Sequence, residues 1–216
     1  MSQIIGVLSY GLGTPTSVSN ALLRLGVNHC LIERPSQFRS ISHLIIPGVG
    51  TADQAMKMLN ESEFTSSIKE FASSGKPILG ICLGMQLMMT TSSESSIGTN
   101  VECLNLVPGS VYPIRCKPEH PRIQTSRHIG WNDVALTEKW QTSIESVAEA
   151  RRADSFFFSH SFACVPDSPS AICGFTEFKG TRFASVIRVE NIIGVQFHPE
   201  ISASSGAGLI NDFLHL

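Results

Sequence analysis

Apolar positions in the first half of the chain fall in short unbroken runs, whereas those of the second half alternate with polar ones and are joined by short turns. Gln3 to Ser9, Val27 to Ile32, Leu44 to Ile46 and Ile78 to Ile81 read as strands apolar on both faces, as in a parallel sheet covered on either side. Between them helices are expected over Pro15 to Leu25, Thr51 to Leu59 and Phe64 to Ser73. Thr14 serves as N-cap and Pro15 as first residue of the first helix, and Gly26 stops it. Strand and helix alternate, which predicts βαβ units and a mostly parallel sheet with helices on both faces. Serines and threonines from Thr90 to Asn100 mark a surface loop. Beyond it, Val111 to Cys116, Ile129 to Ala135, Phe156 to Val165, Ala171 to Phe178, Arg182 to Val189 and Ile192 to His198 read as strands of an antiparallel extension. Lys117 to Arg127 reads as irregular, and Gly206 to Leu216 as a closing helix.

The length of 216 residues suits one α/β domain spanning 1–216. A formal net charge of -2 gives no reason to expect nucleic acid or an anionic membrane as partner. The N-terminus MSQIIGVLSYG lacks the basic and long apolar regions of a secretory signal, so the six cysteines are expected to be reduced thiols in the cytoplasm. Neither a Cys-x-x-Cys nor a His-x3-His pair occurs, and no metal or cofactor is expected. Gly11-Leu12-Gly13 is too short for a dinucleotide fingerprint, since the third glycine is missing.

Chemistry concentrates in two stretches. In KPILGICLGMQLMM the strand passes into a helix at Cys82, with Gly80 and Gly84 two residues to either side, the spacing of a nucleophile elbow. A thiol there faces the N-terminus of the following helix, whose free N–H groups favour thiolate. In GVQFHPE, strand alternation puts Gln196, His198 and Glu200 on one face, and Pro199 ends the ladder. A carboxylate beside an imidazole is the orienter of a nucleophile–base–acid triad. Read alone, a buried cysteine and a satisfied core histidine would serve as well. Donors for an oxyanion are available at the backbone of Leu83 and of the Gly48-Val49-Gly50 turn, which should share one sheet edge with Cys82 and the Gly11-Gly13 turn.

The segments LIIPGVG, KPILGICLGMQLM, HIGWNDV, FFFSHSF and GVQFHPE, in this order and over nearly the whole chain, resemble the class I (triad) glutamine amidotransferases. Within that family they are most similar to the glutaminase subunits of imidazole glycerol phosphate synthases. The resemblance implies a flavodoxin-like α/β fold, with Cys82 as nucleophile, His198 as general base and acid, and Glu200 as orienter. Gly48, Gly50, Gln86 and the backbone at Ser161-Phe162 match positions that hold glutamine. It also implies L-glutamine as substrate, ammonia as transferred product and a (β/α)8-barrel synthase subunit as partner in a heterodimer.

Departures from the family pattern gather at positions used to meet the synthase. Ser9 stands for aspartate, Thr14 for asparagine and Ile201 for lysine, Arg127 precedes His128 where proline is usual, and an aromatic hydroxyl is missing near Phe157. Replacing the lysine by Ile201 removes a charge-assisted contact and implies a remodelled docking face. Two alternatives stay open: a paralogue serving another acceptor, such as an amidating enzyme of surface-sugar biosynthesis, and a non-catalytic regulatory subunit on the same fold.

Overall fold

The computed structural model describes residues 3–96, 98–115, 126–141 and 154–216. Of the expected irregular segment Lys117 to Arg127 only Ser126 and Arg127 are described; the strand expected to run from Val111 to Cys116 ends at Pro113, and Cys116 itself falls outside the described residues.

In chain order the elements are β1 (Ile5–Leu8), α1 (Pro15–Arg24), β2 (His29–Ile32), β3 (His43–Gly48), α2 (Ala52–Glu61), α3 (Phe64–Ser73), β4 (Ile78–Cys82) and α4 (Leu83–Leu87). There follow β5 (Thr91–Ser92), β6 (Val101–Glu102), β7 (Gly109–Pro113), β8 (His128–Leu136), α5 (Glu138–Gln141), β9 (Asp154–His160), β10 (Phe162–Pro166), β11 (Ile172–Phe178), β12 (Thr181–Val189), β13 (Ile192–Val195) and α6 (Ala203–Leu214). One sheet runs β2-β1-β3-β4-β13-β12-β11-β8-β9. Its members from β2 to β13 pair in parallel and those from β13 to β9 antiparallel, as expected of a parallel sheet with an antiparallel extension.

Both faces of the parallel half are buried, which explains the unbroken apolar runs. Along β3, Leu44 and Ile46 enter one core with Ala55, Leu59 and Phe64, while Ile45 enters the other with Val18, Leu22, Ile210 and Phe213. Val18, Ala21 and Leu22 make the helical stripe that seats α1, and α6 shares that face. Thr14 is the N-cap residue of α1 and Pro15 its first residue, but the threonine side chain makes no capping bond.

Three expectations need correction. Phe156 to Val165 is not one strand: it breaks at Ser161, β9 staying in the large sheet and β10 joining a second, four-stranded sheet ordered β10-β7-β5-β6. An apolar run carries no mark of a change of sheet. The strand read as Ile192 to His198 ends at Val195, and a 3-10 turn at Pro199–Ile201 follows His198. Lastly, the helix after Cys82 has only 5 residues, so its dipole is that of little more than one turn. Among the described residues no helix is long and apolar enough to cross a membrane.

Candidate active site

Sheet register assembles the site. β4 lies between β3 and β13, with Gly48 opposite Cys82 on one side and Val195 opposite Ile81 on the other. The residues after Val195 therefore run past Cys82. This brings together the Gly48-Val49-Gly50 turn, Cys82 and His198, which the sequence holds far apart.

Cys82 ends β4 with φ 54 and ψ -110, a left-handed conformation costly for a residue with a Cβ. The glycines around it are required by contact. An ideal Cβ at Gly84 would lie 1.9 Å from the Ile46 carbonyl oxygen, and one at Gly80 would lie 2.7 Å from the Gly84 carbonyl. A Cβ at Gly48 would lie 2.9 Å from the Gly84 nitrogen and from the Leu83 Cβ. The Gly-x-Cys-x-Gly spacing thus presses α4 onto β3 and β4 and turns the Cys82 side chain out of the sheet. Gly13 packs against Pro47 and Gly48, so the first glycine turn shares this edge as expected.

The Cys82 thiol, 6% exposed, lies 3.8 Å from the Ser159 carbonyl, which it can donate to, and receives the Gln196 Nε2–H at 3.8 Å. His198 interacts with the Cys82 sulfur, and its Nδ1 meets Glu200 Oε1 at 2.9 Å. Since Nδ1 is committed to Glu200, Nε2 is the nitrogen left for the sulfur. Burial works against the imidazolium, but the hydrogen bonds and charges of Cys82 and Glu200 outweigh it and push His198 up to about 10. Glu200 is 4% exposed, and its backbone carbonyl accepts Arg24 Nη2 at 3.2 Å. The adjacency of His198 and Glu200 comes from the 3-10 turn and not from strand alternation.

Leu83 is the first residue of α4, and its N–H has no acceptor within the helix. Gly50 has φ 102, open only to glycine at low cost, while Val49 is partly exposed. Gln86 is 3% exposed and committed: its Nε2 donates to Phe162 O at 3.0 Å and to Gln196 Oε1 at 3.1 Å. Ser161 O accepts the Ile114 N–H at 2.8 Å and Phe162 O also meets His160 Nδ1 at 2.8 Å, so both carbonyls are already used. Two cavities of about 590 and 630 Å³ open elsewhere, lined by β7, β10, β11 and β12 residues and by the Asp167 to Ala171 and Arg188 to Glu190 segments, away from the thiol.

Two residues were given no role from the sequence. Gln196 is fully buried beside the sulfur, and its signal was the register of β13 on β4. Glu94, within the loop expected to be merely superficial, is half-buried, and burial together with the charge of Asp53 pushes its carboxyl up to about 7. Asp53, in the first turn of α2 just after Gly50, accepts the Ser96 N–H at 2.9 Å, which ties the loop bearing Glu94 to the start of that helix.

Residues 9–216 match the family described as Glutamine amidotransferase class-I. The chain is 35% identical over 213 residues to imidazole glycerol phosphate synthase subunit HisH 1 of Legionella pneumophila, covering 98% of this chain and 99% of that protein. It is also 35% identical to subunit HisH of Haloarcula marismortui over 224 residues, covering 96% and 93% of the two chains. The fold is similar to the structure of PurLQS from Thermotoga maritima, with TM-score 0.74 and 17% identity over 100% of this chain and 99% of that one.

Proposed function

The chain belongs to the class I glutamine amidotransferase family, and we propose that it is the glutaminase subunit of an imidazole glycerol phosphate synthase in histidine biosynthesis. The observation that carries the chemistry is the buried run of contacts from Cys82 through His198 to Glu200 beside the Gly48 turn.

On this reading Cys82 thiolate attacks the side-chain amide carbon of L-glutamine, and the oxyanion is met by N–H groups of Leu83 and of the Gly48-Val49-Gly50 turn. His198, protonated at rest because Glu200 and the sulfur hold its proton, gives Nε2–H to the amide nitrogen. The C–N bond breaks, ammonia leaves and a thioester remains. Water then gives a proton back to His198 and its oxygen attacks the thioester; the C–S bond breaks and glutamate departs. Glu94 supplies a carboxylate for the substrate ammonium, whose positive charge would offset the burial and the Asp53 charge that now oppose its ionisation. The Ser161-Phe162 backbone, its carbonyls used, has N–H groups to offer the substrate carboxylate. Gln86 acts through the groups it holds.

Ammonia released into water at neutral pH is protonated and loses its nucleophilicity, so it requires a covered path to a synthase subunit. We assign that role to a (β/α)8-barrel cyclase, in a cytoplasmic heterodimer. Ile129 and Trp131 project from β8, 63% and 56% exposed, and Ile201 is 49% exposed on the turn next to the triad, an apolar face suited to a protein partner. Ile201 at a position where the family carries lysine favours a second reading, a paralogue with a different ammonia acceptor. Glutamate release by the purified chain, alone and with the histidine-pathway barrel subunit plus its nucleotide ligand, tests both. Stimulation by that barrel is expected; its absence, with stimulation by another amidating enzyme, would select the paralogue.

A further inference from the structure

Behind Cys82 lies a line of hydrogen bonds that reaches the outer strands of the sheet. Asn132 on β8 accepts the Asp133 N–H at Oδ1, at 2.8 Å, and donates from Nδ2 to the Glu177 carbonyl at 3.0 Å. These two bonds fix which end of the amide is which, so the group facing His128 Nε2 at 3.2 Å is a donor. His128 Nε2 is therefore an acceptor, and its proton sits on Nδ1. That nitrogen is 3.0 Å from His160 Nε2. At the far end His160 Nδ1 meets the Phe162 carbonyl at 2.8 Å, an atom that only accepts, so His160 too carries its proton on Nδ1. Both ends impose the same direction. Burial keeps the rings neutral, pushing His128 down to about 4 and His160 down to about 3.

The Phe162 carbonyl also receives Gln86 Nε2, which in turn holds Gln196 Oε1, and this leaves the Gln196 NH2 to face the Cys82 sulfur. The line thus ends in a donor aimed at the sulfur, where a thiolate needs one. Its origin is β8, whose other face presents the exposed Ile129 and Trp131. His128 itself is clamped between Phe158 and Phe178, with ring centroids 4.5 and 4.2 Å away, so it cannot swing out of the line without unstacking.

We propose that His128 and His160 are positioning residues: a pair of imidazoles locked in the Nδ1–H tautomer that transmits the geometry of β8 through the Phe162 carbonyl, Gln86 and Gln196 to the Cys82 sulfur. The proposal rests on the glutaminase reading for its kinetic consequence and on hydrogen-bond geometry alone for the tautomers.

Long-range proton–nitrogen NMR of the full chain tests the tautomers without any substitution: Nδ1–H is expected for both rings, and Nε2–H at either would overturn the proposal. For the kinetics, His128→Phe keeps the aromatic stack and removes the donated proton, while His128→Asn places an amide donor where Nδ1 was. With the synthase partner bound, His128→Phe is expected to lower kcat roughly tenfold or more with KM within about threefold, the scale for outer-shell partners of a reacting group, and His128→Asn to recover most of it. Wild-type kcat in His128→Phe, or equal loss in both variants, would overturn it, the latter by making ring bulk the operative property. If His128→Phe does not fold, the tautomer spectrum decides alone. A wild-type chain with no glutaminase activity beside any acceptor enzyme would instead sink the functional reading and leave the tautomers standing.

Discussion

His198 Nδ1 and Glu200 Oε1 stand 2.9 Å apart in a site where both side chains are almost fully buried. Desolvation disfavours the imidazolium, yet Cys82 and then Glu200 hold His198 up at about 10. Since this lies above the unperturbed 6.5, the stabilisation it represents is fully present below pH 6.5 and lost as pH rises toward 10. On the proposed mechanism, in which His198 is the acid for ammonia departure, kcat/KM should then stay high well past neutrality. Glu200→Gln removes one support of the charged form, so the alkaline limb of the pH–rate profile is expected to move to lower pH, with kcat/KM reduced roughly tenfold or more. A limb that stays in place would take Glu200 out of the triad.

Gly84→Ala should be far more damaging than its chemistry suggests. Its new methyl would lie 1.9 Å from the Ile46 carbonyl, a backbone atom that cannot step aside without moving β3 from β4. Overpacking of this kind costs about 1–3 kcal/mol or more. Gly75→Ala is the comparison: at φ 77 it pays left-handed strain, about 1–2 kcal/mol, with nothing within 4 Å of the added atom. Urea unfolding of the two variants should rank them in that order, and Gly84→Ala should also lose reactivity of Cys82 toward a glutamine-mimicking electrophile. The reverse order would mean that α4 does not press on β3 as described.

Local chemistry made much of this legible in the sequence, and distant pairing limited the rest. Gly80, Cys82 and Gly84 announce the elbow because the turn needs those residue types at that spacing, and the apolar runs announce strands because both sheet faces are covered. The break at Ser161 is invisible because β9 and β10 are equally apolar and only their partners differ. Gln196 looked like one more residue on the His198 face. Its place beside the sulfur depends on β13 pairing with β4, a contact between segments more than a hundred residues apart. Glu94 hid in a serine-rich loop whose short strand joins a second sheet that no local pattern foretold.

Glu94 provides a test of substrate binding separate from the thiol. Its carboxyl, raised to about 7 by burial and the Asp53 charge, must ionise to meet an ammonium group. KM for glutamine is therefore expected to rise as pH falls through about 7, while bound glutamine lowers the Glu94 value. Glu94→Gln should raise KM roughly 10- to 100-fold, the worth of one hydrogen bond to a charged group, with kcat less affected, and should flatten that pH dependence. An unchanged KM would place the ammonium elsewhere.

Trp131 packs edge-on against Phe157, with centroids 6.2 Å apart and planes at 76°, and shares the outward face of β8 with Ile129. Phe157 in turn is tied to the turn bearing Ile201, its carbonyl accepting the His198 N–H at 2.9 Å and its N–H donating to Ser202 Oγ at 3.0 Å. A partner that covers this face would bury a large aromatic anchor within two residues of the backbone that positions His198. Trp131→Ala should weaken binding of the proposed barrel subunit by about 2 kcal/mol, roughly thirtyfold in Kd by calorimetric titration, the scale of an aromatic hot spot. The rate of Cys82 alkylation in the isolated chain should stay at the wild-type value, since Trp131 points away from the sulfur. Ile201→Lys places a cation beside His198 and Glu200; tighter binding to the histidine-pathway barrel would favour that partner, and weaker binding would favour an acceptor whose docking surface is matched to isoleucine.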